Sequence, residues 1–193
     1  RLPRMLFLAR PNNAAIDEFL ARASDEKFSY KAVGATDNHP PDGWTVDHNR
    51  RSIGHGAEAW ERARQAVRDW KMFDFPWVEL CWPNSPPDPG SVVAVLIRHL
   101  GFYSLNPAKV VYSIDETDRF GFAYGTLKSH AESGEERFLV ERDPVSGEIW
   151  YDLYAFSMPN SLLVGMGYPY ARHLQKRFAI DSMAAMQRAI CQP

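Results

Sequence analysis

Five short β-rich runs follow one another at residues 91–98, 109–116, 120–128, 135–141 and 148–156, and a single long helical stretch after Pro159 closes the chain. The connections between runs are too brief for the crossover of a dozen or more residues that parallel strands require. Asp115-Glu116-Thr117-Asp118 and Asp143-Pro144-Val145-Ser146-Gly147 are hairpin-like by residue type. Each run therefore pairs antiparallel with its neighbour in sequence, which makes a β-meander. The terminal stretch carries Leu163, Tyr170, Leu174, Phe178, Met186 and Ile190 at helical spacing, with a break or kink expected where Gly165, Gly167 and Pro169 cluster. An antiparallel sheet with one long amphipathic helix after it is an α+β arrangement in which that helix covers one sheet face.

The residues before the meander read differently. Asn12 is a cap candidate for a short helix through Arg22, with Asp17 and Glu18 near its start. Residues 28–33 alternate weakly, and 37–43, with two prolines and a glycine, form a loop that delivers Trp44. A second helix is expected over 57–72, where Trp60, Ala63, Val67 and Trp70 recur every three or four residues among charges. Residues 77–82 read as a strand, ended by the proline-rich turn at 83–90.

Length and composition bound the function classes. With 193 residues, 45% of them hydrophobic, the chain is sized for one domain with a real core. A formal net charge of -2 lacks the basic excess that a phosphate backbone demands, so nucleic acid is not an expected partner. Apolar runs such as 92–97 stop well short of the roughly 20 residues that cross a bilayer, so no transmembrane segment is expected. The stretch 6–9 is too short for a signal-peptide core, and Cys81 and Cys191 allow at most one disulfide. A reducing, cytoplasmic setting is the expectation.

Strand alternation sorts the side chains by face. On the fourth run Glu135, Arg137, Leu139 and Glu141 share the charged face, expected to meet water, which turns Glu136, Phe138 and Val140 inward. The same logic turns in Val110, Tyr112 and Ile114, then Phe120, Phe122 and Tyr124, then Ile149, Tyr151 and Leu153. The inner polar set is thus Tyr112, Tyr124, Glu136 and Tyr151, subject to a one-residue slip in any strand. A carboxyl among tyrosines under a helix is a ligand anchor or an acid/base group, since burial raises its pKa. The competing structural reading pairs Glu136 with Arg142 or Arg98 and leaves the tyrosines as core with satisfied hydroxyls. His130, at a strand end running into a polar turn, is a binding candidate or an ordinary surface histidine.

Other chemistry is not written here. The six histidines are scattered without metal-ligand spacing, so no metal is expected. Gly54-His55-Gly56 and Gly165-Met166-Gly167 lack the third glycine of a dinucleotide loop, and Cys81, between Leu80 and Trp82, reads as an inert buried thiol. No cofactor is implied, and oligomeric state is not legible.

Several stretches together carry a resemblance: Phe28-Ser29-Tyr30 with Val33-Gly34-Ala35-Thr36, Gly54-x-Gly56, Trp70-x-Met72-Phe73, Tyr124-Gly125-Thr126-Leu127 with His130, Gly134-Glu135-Glu136-x-Phe138, and Pro169-x-x-Arg172-x-x-Gln175-x-x-Phe178. In order and spacing they resemble the domain of unknown function 1990 family over most of the chain. The resemblance implies a START-like, helix-grip fold, a curved antiparallel sheet wrapped around a long C-terminal helix with a hydrophobic cavity between them. The expected division is one such domain over 1–193, with N-terminal helical and loop decoration (1–76), the main meander (77–157) and the C-terminal helix (159–191). The family has no assigned activity, so the resemblance adds only Glu135, Arg172 and Gln175 to the residues to watch. The candidate ligand-binding set is Tyr112, Tyr124, His130, Glu136, Tyr151 and Arg172. The leading reading is a binder of a small apolar or amphipathic molecule. The alternatives are a cavity-based acid/base enzyme, of the cyclase or hydrolase kind found among helix-grip relatives, and an interaction module with a filled core and surface tryptophans such as Trp44 or Trp82.

Overall fold

The computed structural model describes residues 6–81, 86–159 and 168–191. Its elements are β1 (Leu6–Phe7), α1 (Asn13–Ala23), β2 (Thr45–His55), α2 (Gly56–Arg68), β3 (Val78–Cys81), β4 (Val92–His99), β5 (Phe102–Asp115), β6 (Arg119–Thr126), β7 (Glu132–Arg142), β8 (Glu148–Pro159) and α3 (Tyr168–Cys191). The strands form one antiparallel sheet in the order β2-β8-β7-β6-β5-β4-β3, with β1 added on β5. The fold is α+β helix-grip: the sheet curves around α3. Leu163, Gly165, Gly167 and Trp82 lie outside the described residues.

Local chemistry explains the meander. In the β7–β8 turn the Asp143 carboxylate accepts from the backbone N–H groups of Val145 and Ser146 at 2.9 and 2.8 Å. This Asx-type closure fixes the register of the hairpin. On α1, Asn12 Oδ1 accepts from Ala15 N–H at 2.9 Å, as a cap should. The second helix ends at Arg68, earlier than its apolar spacing predicts, because Trp70 takes a left-handed backbone conformation (φ 55°) that turns the chain and drops Met72 and Phe73 into the core through a 3-10 turn (Lys71–Phe73).

Further sequence expectations change. The segment before residue 77 is more than helices and loops, because 45–55 is an eleven-residue strand, β2, at the edge of the sheet against β8. Its sequence, Thr-Val-Asp-His-Asn-Arg-Arg-Ser-Ile-Gly-His, has too few apolar residues for the alternation that marks a half-buried strand. Tyr112 and Ile114 do not share a face with Val110. A β-bulge shifts the register between Val110 and Tyr112, so Val110 pairs with Tyr124 but Tyr112 pairs with Ala123. The extra residue rotates the rest of β5 by one face.

The other sheet face is not solvated as its charges suggest. Glu135 is 2% exposed and Leu139 is fully buried. The inner face meets α2, the 3-10 turn and α3 around a core that includes Phe73, Phe122, Phe138, Tyr151 and Met186. At one end of the outer face α1 packs Ile16, Phe19 and Leu20 onto Cys81, Ala94, Leu96 and Leu105. At the other end the loop after α1 is stapled down by Glu135. Its carboxylate accepts from Tyr30 Oη (2.6 Å), Gly34 N (2.7 Å), Thr36 N (2.9 Å) and Thr36 Oγ1 (2.5 Å). With the Thr36 hydroxyl donating to Glu135, Tyr112 Oη donates to Thr36 Oγ1 at 2.8 Å. Gly125 completes the unit, since a Cβ there would sit 2.0 Å from Tyr30 Oη.

Removing the acceptor strands four buried or half-buried donors at once. The Glu135→Ala variant is expected to lose about 3 kcal/mol or more of folding stability. Urea unfolding checks this, and a loss under about 1 kcal/mol would mean that the loop does not depend on the staple.

Candidate functional site

The site arises from how unevenly α3 meets the sheet. Its C-terminal half buries Ser182, Met183, Met186 and Ile190 against large side chains of the inner face. Its N-terminal half, Tyr170 to Ile180, faces Ser104, Asn106, Thr126, Gly134, Ala155 and Ser157. Small residues opposite a helix cannot fill the gap to the density of a protein interior. A cavity of about 780 Å³ results. Trp77, Val95, Ile97, Leu153, Leu174 and Phe178 supply apolar wall, and Tyr124, Glu132, Glu136 and Gln175 bring polar groups to one side.

Register places the central carboxyl. Asp47 pairs with Ala155, Ala155 with Glu136, Glu136 with Tyr124, and Tyr124 with Val110, so these residues form one row across four strands and into a fifth. Alternation sends that row inward, as read from β7. Tyr124 Oη donates to Glu136 Oε2 at 2.9 Å. Burial pushes the Glu136 carboxyl up to about 7; the Tyr124 hydrogen bond opposes this, and the negative charges of Glu132 and Asp47 add to it. Burial, followed by the charge of Glu136, raises the Tyr124 phenol well above its ordinary value. Neither Arg142, bonded to Asp118 at 2.7 Å, nor Arg98 is an ion-pair partner of Glu136 among the described residues.

A second polar chain ties α3 to the sheet at the cavity rim. The Arg172 guanidinium grips both carboxylate oxygens of Asp47, with its Nη2 at 2.6 Å from Oδ1, and donates to Gln175 Oε1 at 2.5 Å. Gln175 Nε2 donates to Glu132 Oε2 at 2.7 Å and to Ser157 Oγ at 3.1 Å. Glu132 sits above the ordinary carboxyl value because of burial, with Gln175 and Arg172 pulling it back. His130 lines the cavity, accepts from Glu132 N–H through Nδ1 at 2.9 Å, and is lowered to about 4 by burial. Across the cavity, His99 Nε2 and Ser104 Oγ lie 2.6 Å apart, and burial lowers His99.

Of the six sequence candidates, the structure brings Tyr124, His130 and Glu136 to the cavity wall. Arg172 stands at the rim through Asp47 and Gln175. Tyr151 is fully buried below the cavity, its hydroxyl 2.9 Å from Ser182 Oγ, and Tyr112 is on the opposite sheet face. Asp47, Glu132, His99 and Asn106 were not foreseen. Asp47 and Glu132 carry no signal without the strand register, and His99 and Asn106 fall between the runs 91–98 and 109–116, because β4 ends at His99 and β5 begins at Phe102, earlier than the alternation predicts. No group of three His, Cys, Asp or Glu side chains among the described residues could hold a metal ion, and no helix among them is long and apolar enough to cross a membrane.

Comparison with known proteins adds the following. A family model described as domain of unknown function (DUF1990) matches residues 29–185. A UPF0548 protein of Deinococcus radiodurans is 40% identical over 199 residues, covering 96% of this chain and 98% of its own. A UPF0548 protein of Dictyostelium discoideum is 32% identical over 207 residues, covering 96% of each chain. Among solved structures, the di-domain ARO/CYC BexL from the BE-7585A biosynthetic pathway aligns with a TM-score of 0.51 at 16% identity, covering 83% of this chain and 54% of that one. At that identity the likeness is one of fold.

The raised carboxyl gives a pH signature. Glu136 holds its proton more tightly when folded, so the protein loses stability as pH rises from the ordinary carboxyl value of 4.5 to about 7. A Glu136→Gln variant escapes that loss. It is expected to be more stable than the parent by about 1–2 kcal/mol at pH 8, the gap closing by pH 4. His130, lowered, works in the opposite direction, losing stability as pH falls from 6.5 to about 4, and cancels in the comparison because both proteins carry it. Thermal unfolding across pH reads the gap, and a gap that does not grow with pH would mean Glu136 is solvated.

Proposed function

The chain belongs to the domain of unknown function (DUF1990) family, and from that membership together with the cavity we propose that it binds a small apolar or amphipathic molecule between the inner sheet face and α3. The observation that carries this reading is the cavity itself. Its volume of about 780 Å³ falls within the range of small-molecule sites, and a mostly apolar wall with a few convergent polar groups is how such sites are built. The two cysteines stay apart, Cys81 buried in the sheet and Cys191 exposed on α3, which fits action in a reducing cytoplasm.

A second reading has its own observation. A carboxyl pushed up to about 7 and within hydrogen-bond reach of a phenol is poised to give or take a proton near neutral pH. In this reading Glu136 is the acid/base group of an enzyme and Tyr124 its partner. The neighbour in the solved structures is described as an ARO/CYC protein, which makes cyclisation or aromatisation the reaction class to assay first. The filled-core alternative draws less support: Trp44 packs edge-on against Tyr30 and Phe156, at centroid distances of 6.4 and 5.2 Å, and is not a projecting anchor.

Native followed by denaturing mass spectrometry of the purified protein is the direct test. A small molecule released stoichiometrically on unfolding is the expected result. In parallel, Ala155→Phe, which puts a ring into the cavity between Asp47 and Glu136, is expected to weaken binding of an apolar fluorescent probe by at least about tenfold while the protein stays folded. An unchanged affinity would move the ligand elsewhere. Under the enzyme reading, Glu136→Gln abolishes turnover and leaves probe binding intact.

A further inference from the structure

We propose that the cavity selects ligands with a basic nitrogen: an apolar body lies against Leu153, Leu174, Phe178 and Trp77, and a protonated amine bonds Glu136 on the inner sheet face. The inference rests on the cavity reading above and names its ligand class.

Glu136 lines the cavity, and the groups that act on it most strongly are Tyr124 from β6, Glu132 from its own strand and Asp47 from β2; none of these is a cation. On β8, the residues facing this part of the cavity are Leu153, Ala155 and Ser157, which carry no charge. From α3, Arg172 is committed to both oxygens of Asp47 and to Gln175, and Gln175 spans to Glu132 and Ser157. Lys176 touches the lining but is exposed at the rim. His99 and His130 are held neutral at physiological pH by burial. Among the described residues, then, the cavity presents carboxyls inward and spends its nearest guanidinium on the rim.

Ligand chemistry sorts itself against that arrangement. An ammonium donates to Glu136 in a charge-assisted hydrogen bond, roughly twice as strong as a neutral one, and favours the ionised carboxylate that its surroundings otherwise disfavour. An alcohol gains only the neutral bond. A carboxylate of the same length meets Glu132 and Glu136 and is repelled.

The test compares dodecylamine, dodecanol and dodecanoate, each below its micelle concentration or solubility limit, as displacers of an apolar fluorescent probe at pH 8. The amine is expected to bind at least about tenfold tighter than the alcohol, with the carboxylate weakest. In Glu136→Gln the preference of amine over alcohol, a ratio taken within one protein, is expected to fall below about threefold, with a circular dichroism spectrum matching the parent's as the control for folding. Dodecanol binding without an amine preference, or dodecanoate binding as tightly as the amine, overturns the inference and leaves the cavity reading standing. Binding of none of the three overturns both. The comparison in the unaltered protein decides the matter even where the variant fails to fold.

Discussion

The architecture depends on one contact: the C-terminal half of α3 pressed into the aromatic floor of the sheet. Met183, Met186 and Ile190 meet a cluster that includes Phe122, Phe138, Val140, Ile149 and Tyr151, and α2 with the turn after it supplies Trp60, Val67, Trp70 and Phe73 to the same cluster. Burying side chains of this size contributes about 1.5–3 kcal/mol each, and here they are buried together in one cluster. Anchored there, the rest of the helix extends over the sheet whether or not the sheet rises to meet it. Small residues in β5–β8 ensure that it does not, and the polar chain Asp47–Arg172–Gln175–Glu132 spans the gap. The cavity follows from a strong grip at one end of the helix and a thin lining at the other.

The outer face serves that arrangement. A sheet with charged side chains outward needs no cover, yet this one is covered, and the cover is polar at its centre. Glu135 and Glu136 are neighbours in sequence and point to opposite faces. One is saturated by donors from the 28–36 loop, and the other receives, among the described residues, a phenol. The pair shows how identical side chains acquire different roles from their partners: Glu135 fixes a loop, Glu136 confronts a cavity.

Much of this was legible in the sequence, for physical reasons that also mark where legibility ends. Period-two alternation and short polar turns identified the meander, and the inward orientation of Glu136 and Tyr124 followed from them. Tyr112 failed because a bulge adds one residue and alternation cannot count it. β2 failed because an edge strand with one face on a polar rim needs few apolar residues, so Asp47 stayed hidden. The matching stretches around Tyr30, Gly34, Thr36, Gly125 and Glu135 looked like scattered motifs and are one staple, visible only when the loop folds back over β7. Sequence spacing reports a side chain's direction; what waits for it there depends on segments distant in the chain.

Glu136 poses the remaining question of energetics. A carboxyl in an apolar cavity, facing two other carboxyls, costs folding stability above its own pKa, and a leucine or glutamine there would cost less. A stability argument alone would leave the position apolar. Its surroundings, moreover, do not relieve the cost: Arg172, within reach of the same rim, is bound to Asp47, and the donor that the described residues supply is a phenol too basic to ionise. A group held in such a state loses its penalty when a cationic or proton-donating molecule arrives, so the strain becomes affinity or reactivity for that molecule. Binding and acid/base chemistry are then two uses of the same poised proton, separated by whether the molecule leaves the cavity changed.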